Sequence, residues 1–153
     1  MAKARVKNKL PLSIAIFPLN MGGSNACRLE LAAIFGPPYN AARYGIWLTS
    51  SPRQADLILL FGSATIKAAP IIHRLLVGLP EDVKLVALSS ETASAAPFKG
   101  AYGIAGPLVP EAEEGSGPLR AVLPEGRQIV AYIAGSPPDP QTIIEGILQA
   151  ARV

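Results

Sequence analysis

Asp56-Leu57-Ile58-Leu59-Leu60-Phe61-Gly62-Ser63 is the stretch on which the fold turns. Leu57 to Phe61 is an unbroken apolar run closed by a glycine–serine turn, the pattern of a strand buried on both faces of a parallel sheet. Moving outward, Val83 to Leu88 and Ile129 to Ile133 repeat the pattern downstream, while Leu12 to Phe17 and the shorter Gly45 to Leu48 precede it. Pro18 is expected to end the first strand, and Asn20 to Gly23 to make the turn after it.

Helical spacing falls between these runs. Leu29, Ala32, Ala33 and Phe35 lie on one helix, which Gly36-Pro37-Pro38 stops. Ala64 to Val77 reads as a second helix, with Ile71, Ile72, Leu75 and Leu76 inward and Pro70 marking a kink or the true start. Pro140 to Ala151 is a third, its apolar face formed by Ile143, Ile144, Ile147 and Leu148. Tyr39 to Tyr44 is a short irregular or helical piece. Strands alternating with helices predict an α/β fold, a flavodoxin-like three-layer sandwich with a mostly parallel sheet of four to five strands. The turns at Gly22, Gly62, Ser89 and Gly135 should then emerge together at the C-terminal strand edge, where such sheets gather ligands. Between Ala93 and Arg127 the regular pattern fades into a long glycine- and proline-rich loop carrying Glu111, Glu113 and Glu114.

Composition narrows the function classes. At 153 residues and 16.0 kDa, the chain suits a single α/β domain over residues 11–153, preceded by a basic arm over residues 1–10 with Lys3, Arg5, Lys7 and Lys9. Half of the residues are hydrophobic and only 16% are charged, which points to a protein partner covering part of the surface. No apolar run approaches the roughly 20 residues needed to cross a bilayer. A net charge of +3 without aromatic interleaving argues against nucleic acid. The absence of a signal-peptide pattern and the single cysteine make a cytoplasmic location the expectation. His73, the lone histidine, has no ligand-type residue at metal spacing and reads as structural or surface-exposed.

The turn Gly22-Gly23-Ser24-Asn25-Ala26-Cys27-Arg28-Leu29-Glu30 is the one with chemical content. Glycines between a strand and a helix let a ligand approach the backbone and the first free N–H groups of the helix. The same residues also describe an ordinary turn with a buried thiol. Neither a Gly-x-Gly-x-x-Gly nor a Gly-x-x-x-x-Gly-Lys motif accompanies it, so a free-standing flavin- or nucleotide-binding module is the weaker alternative.

Ala42-Arg43-Tyr44-Gly45-Ile46, then Ser51-Pro52-Arg53-Gln54-Ala55-Asp56-Leu57, then Gly62-Ser63-Ala64-Thr65-Ile66-Lys67-Ala68-Ala69-Pro70 together resemble the B (20-kDa) subunit of NADH:quinone oxidoreductase, respiratory complex I, and the related small subunits of membrane-bound nickel–iron hydrogenases. Gly135-Ser136-Pro137-Pro138 resembles that family's Gly-Cys-Pro-Pro turn. The resemblance implies a [4Fe–4S] cluster held by four cysteines and used for electron transfer. This chain departs from the family at the ligands. Cys-x-x-Cys-x-x-Glu becomes Ser24-x-x-Cys27-x-x-Glu30, Gly-x-Cys becomes Ser89-Ser90-Glu91, and the Gly-Cys-Pro-Pro cysteine is Ser136.

Serine hydroxyls bind iron poorly and Glu91 is a hard oxygen donor, so no cofactor and no metal are expected, and Cys27 with Glu91 are the donors if a metal is kept. The degenerate cluster positions are thus Ser24, Cys27, Glu91 and Ser136, with Glu30 nearby. No catalytic residue is assigned. The resemblance implies a divergent, structural or docking subunit on the cytoplasmic face of the membrane, bound there through a hydrogenase-like or complex I-like large subunit, with Arg43, Arg53 and Lys67 as partner contacts. An electron-transfer subunit that still binds an unusual cluster is the alternative. A cavity in which Cys27, Glu30 and Glu91 face one another is the arrangement that would handle protons or a metal; a cavity filled by small polar residues and water is the plainer one.

Overall fold

The computed structural model describes residues 13–23, 25–98, 100–106 and 122–153. The basic arm, Ser24 and the acidic stretch around Glu111 to Glu114 lie outside these residues. Five parallel strands form one sheet: β1 (Ile14–Asn20), β2 (Ile46–Leu48), β3 (Leu57–Phe61), β5 (Lys84–Leu88) and β7 (Ile129–Ile133), in the order β2-β1-β3-β5-β7. Ranked among themselves these strands run 2-1-3-4-5, the flavodoxin order, with the change of direction between β1 and β3. Two further strands, β4 (Ala64–Thr65) and β6 (Ile104–Gly106), make a small antiparallel pair.

Side-chain alternation divides the core into two layers. Ile14, Ile16, Leu57, Leu59, Val86 and Leu88 face α1 (Asn25–Ala33) and α4 (Pro140–Arg152), whereas Ile58, Leu60 and Leu85 face α2 (Ala69–Val77). Every residue of β3 is buried, as its unbroken apolar run predicts for the middle strand of a covered sheet. Ile143, Ile144 and Ile147 at i, i+1 and i+4 bury the apolar face of α4, each contributing about 1.5–3 kcal/mol relative to exposure. The N-terminus of α4 is closed by Asp139, whose carboxylate accepts from the Thr142 amide at 3.2 Å and the Thr142 hydroxyl at 2.6 Å. Two cations staple the opposite edge of the sheet. Arg127 donates to the carbonyls of Leu79, Pro80 and Val83, and Lys84 Nζ donates to the last carbonyls of α4, Ala150 and Ala151.

Three sequence expectations are corrected. Pro18 does not end β1 but pairs within it, opposite Leu59. Ile16 and Pro18 bond toward the β2 side, and β2 has already ended at Leu48, so the missing proline N–H has no acceptor to disappoint. The helix expected from Ala64 begins at Ala69, with Pro70 in its first turn, because Ala64 and Thr65 are taken into β4 by β6. The irregular loop after Ala93 contains that partner strand, and before it Ser90–Ser94 forms a one-turn helix, α3.

Candidate functional site

Because the sheet is parallel, the turns after β1, β3, β5 and β7 all leave from one edge. At the change of strand direction, Gly22 and Gly23 meet Gly62 and Ser63 backbone to backbone: a Cβ on Gly23 would lie 2.3 Å from the Gly62 Cα. The amides of Gly22 and Gly23 do not point out toward a ligand. Both donate to Asn20 Oδ1, at 2.9 and 3.0 Å. At this switch point the Gly22–Gly23 turn packs directly on the Gly62–Ser63 turn.

The turns after β5 and β7 are joined in the same way. Ser89 N donates to Ile133 O at 2.9 Å and Ser90 N to Gly135 O at 2.7 Å. Ser90 Oγ accepts from Tyr132 Oη at 3.1 Å and from Gly135 N at 3.4 Å. Ser136 Oγ donates to Glu91 Oε1 at 3.2 Å, and Ser63 Oγ donates to the Glu91 carbonyl at 3.5 Å, which brings the β3 turn into the group.

Cys27 enters this cluster from α1. It is 3% exposed. Burial pushes the thiol pKa up, the negative charges of Glu91 and Glu30 push it further, and the polar Ser89 side chain nearby acts in the opposite direction. The net result is a protonated, inert thiol near neutral pH.

The candidate positions lie in the structure as follows. Cys27, Glu91 and Ser136 share one cradle, Glu30 lies within electrostatic reach of Cys27, and Ser24 is outside the described residues. Arg43, Arg53 and Lys67 do not join them, and they do not form one patch. Arg43 and Arg53 sit in 3-10 turns that lead into β2 and β3, at the edge opposite the cradle, while Lys67 follows β4 on the cradle side. All three are exposed; Arg43 stacks on Tyr44, its guanidinium carbon 4.7 Å from the ring centre. His73 lies on α2, away from the cradle, with Nδ1 buried and without a hydrogen-bond partner.

Ser89 is the site residue that sequence reasoning passed over. It is fully buried, with φ 87° and ψ 152°, a backbone region populated essentially by glycine and costing about 1–3 kcal/mol for another residue. Its Oγ bonds the Thr92 hydroxyl at 3.1 Å and accepts from the Thr92 amide at 3.4 Å, and Thr92 Oγ1 in turn donates to Leu88 O at 2.7 Å. The available signal was a serine standing at the glycine of the Gly-x-Cys pattern.

The donors of the cradle do not fit a [4Fe–4S] cubane, which takes four thiolates. Cys27 offers one thiol; Ser136 and Glu91 offer oxygens hydrogen-bonded to each other. Among the described residues no group of three or more histidines, cysteines or acids is placed to hold a metal ion.

Fold and cradle define a class: a flavodoxin-like α/β domain with four turns converging at one strand edge. No protein-family model matches the chain. The B subunit of the NADH-quinone oxidoreductase of Clostridium beijerinckii is 34% identical over 135 residues, covering 88% of this chain and 70% of that protein. An uncharacterized protein of Methanocaldococcus jannaschii is 32% identical over 139 residues, 91% of this chain and 83% of that one. The K 2 subunit of the NAD(P)H-quinone oxidoreductase of Synechocystis is 32% identical over 137 residues, and there the chain spans only 56% of the relative. The chain belongs to the family of the NADH-quinone oxidoreductase B subunit. Its fold is shared by a chain of the membrane-bound sulfane sulfur reductase, an archaeal respiratory membrane complex (TM-score 0.67, 24% identity, 91% of this chain and 68% of that one). A chain of an NAD+-reducing [NiFe]-hydrogenase shares it at lower similarity (TM-score 0.54, 13% identity, 86% of each chain).

Proposed function

We propose that the chain is a small subunit of a complex I-like or membrane-bound hydrogenase-like oxidoreductase assembly, and that it serves there as a structural, docking subunit without a [4Fe–4S] cluster. Family membership supports the first part. The observation that carries the second is the donor set of the cradle, a single buried thiol at Cys27 beside the mutually hydrogen-bonded oxygens of Glu91 and Ser136, where a cubane needs four thiolates. No helix among the described residues is long and apolar enough to cross a membrane, so attachment to the cytoplasmic face is assigned to partner subunits.

Arg43, Arg53 and Lys67 are the cations we assign to those contacts, since guanidinium forks suit interface carboxylates. Their placement on two edges calls for partners that reach both. Against the flavin or nucleotide reading, Asn20 takes the Gly22 and Gly23 amides and Gly62 packs on Gly23.

Anaerobic purification of the chain with its partners, followed by iron and acid-labile sulfide assays and EPR, tests the proposal. Co-purification of a hydrogenase-like large subunit with no iron attributable to this chain is the expected result. About four irons per chain with a reduced cubane signal would establish the electron-transfer alternative instead.

A further inference from the structure

We infer that the sheet face over β1 and β2, beside α2, seats one amphipathic helix of a partner subunit, apolar on the side it buries and acidic where it meets Arg53 and Lys67. The inference rests on the docking reading above and names what docks.

In a doubly wound sheet a parallel crossover ordinarily lays a helix on the sheet. The β1–β2 and β3–β5 crossovers do so with α1 and α2, but the crossover from β2 to β3 contains only a 3-10 turn, Pro52–Gln54. A right-handed path puts that crossover on the α2 face, so this face lacks a helix over β1 and β2. Burial records the gap. Phe17 and Leu19 stand in register with Ile58 and Leu60 and share their face; the β3 pair is fully buried under α2, whereas the β1 pair is only half-buried. Trp47, in register with Ala15 on the same face, is 46% exposed, and its indole N–H donates to Ser13 Oγ at 2.6 Å.

Charge selects the occupant. Arg53 sits in the 3-10 turn at one end of this shelf, its guanidinium close to Gly78 at the C-terminal end of α2, and Lys67 stands just before α2 at the other end. Both cations are exposed. A second copy brings a net charge of +3, and the chain's own arm brings Lys3, Arg5, Lys7 and Lys9, so each sets like charge against these cations. A helix with carboxylates at its ends sets opposite charge there. About 15 residues of helix, at 1.5 Å each, span the roughly 23 Å of a strand as long as β1.

Trp47 is the chain's only tryptophan, so the emission of the unmodified full chain reads the shelf directly. Solvent-exposed emission that iodide quenches is expected. Iodide-shielded Trp47 at high dilution shows that the arm covers the shelf, and shielding that grows with concentration shows that a second copy does; either overturns the inference. The assembly is then purified with the photocrosslinker p-benzoylphenylalanine in place of Trp47 or, as the control, of Glu145 on the exposed side of α4, and the crosslinked peptides are sequenced. Position 47 is expected to crosslink into one amphipathic helical segment of a partner subunit with Asp or Glu at its ends, and position 145 not to reach that segment. Crosslinks from position 47 into a second copy, into residues 1–12 or into a segment without acids, or no crosslink at all, overturn it. Arg53→Glu combined with Lys67→Glu should lower the yield at position 47 at least about fivefold, and an unchanged yield also overturns it. If no subunit co-purifies with the unmodified chain, the docking reading falls and this inference with it; if the assembly forms and position 47 crosslinks elsewhere, this inference falls alone.

Discussion

Gly23 and Gly62 are in direct backbone contact, so close that a Cβ on Gly62 would stand 2.2 Å from the Gly23 amide nitrogen. This contact locks the β1–α1 turn onto the β3–β4 turn and brings α1, with Cys27, to the cradle. Gly62 also has φ +85°, which an added side chain would strain. Gly23→Ala and Gly62→Ala should each lower stability by about 2 kcal/mol or more, since a backbone neighbour cannot rotate away as a side chain can. Urea unfolding of the two variants measures the loss.

Cys27 sets an alkaline limit. Its folded-state pKa is raised, first by burial and then by Glu91 and Glu30. The protonated thiol's contribution is therefore complete below the unfolded pKa of about 8.5 and is lost as pH rises through the higher folded value. Thermal melts above neutrality should show a falling Tm from about pH 8.5 upward, and Cys27→Ala should remove that component of the slope.

Asp139 sets an acid limit at the other end of the same edge. Its hydrogen bonds from the Thr142 hydroxyl and amide hold its pKa below the usual carboxylate range. The cap's contribution is present above the unfolded pKa of about 3.9 and disappears as pH falls through the depressed folded value. Asp139→Asn should lower the Tm at neutral pH less than Asp139→Ala does, and both should weaken the pH dependence of α4 unfolding in the acid range, followed by far-UV circular dichroism.

Arg127 ties the α2–β5 connection to the start of β7 through three carbonyls. Arg127→Ala should cost about 2 kcal/mol in denaturant unfolding, because hydrogen bonds from charged donors are worth more than neutral ones. Lysine should recover only part of this, since a single ammonium cannot reproduce the planar fork that spans Leu79, Pro80 and Val83.

Much of the fold is written in local patterns. Leu57–Phe61 is an apolar run of the kind a covered parallel sheet accommodates, Leu85–Leu88 repeats it, the edge strand Ile129–Ile133 shares its composition while remaining largely half-buried, and Ile143, Ile144 and Ile147 define the buried face of α4. The convergence of Cys27, Glu91 and Ser136 followed from the same logic, because parallel strands deliver their trailing turns to one edge. Chain segments of two and three residues carry no period, so the β4–β6 pair left no trace in the sequence around Ala64 and Ile104. Pro18 looked like a strand end because proline lacks a donor, and only the early finish of β2 makes that lack harmless.

Residue types alone thus determined a parallel α/β domain, its family and a cradle short of three cysteines. Tertiary structure decided how that cradle is filled. A residue's φ and its hydrogen-bond partners depend on elements distant in sequence, so only the folded chain places Ser89 in a glycine's backbone conformation, with its amide bonded to β7 through Ile133 O.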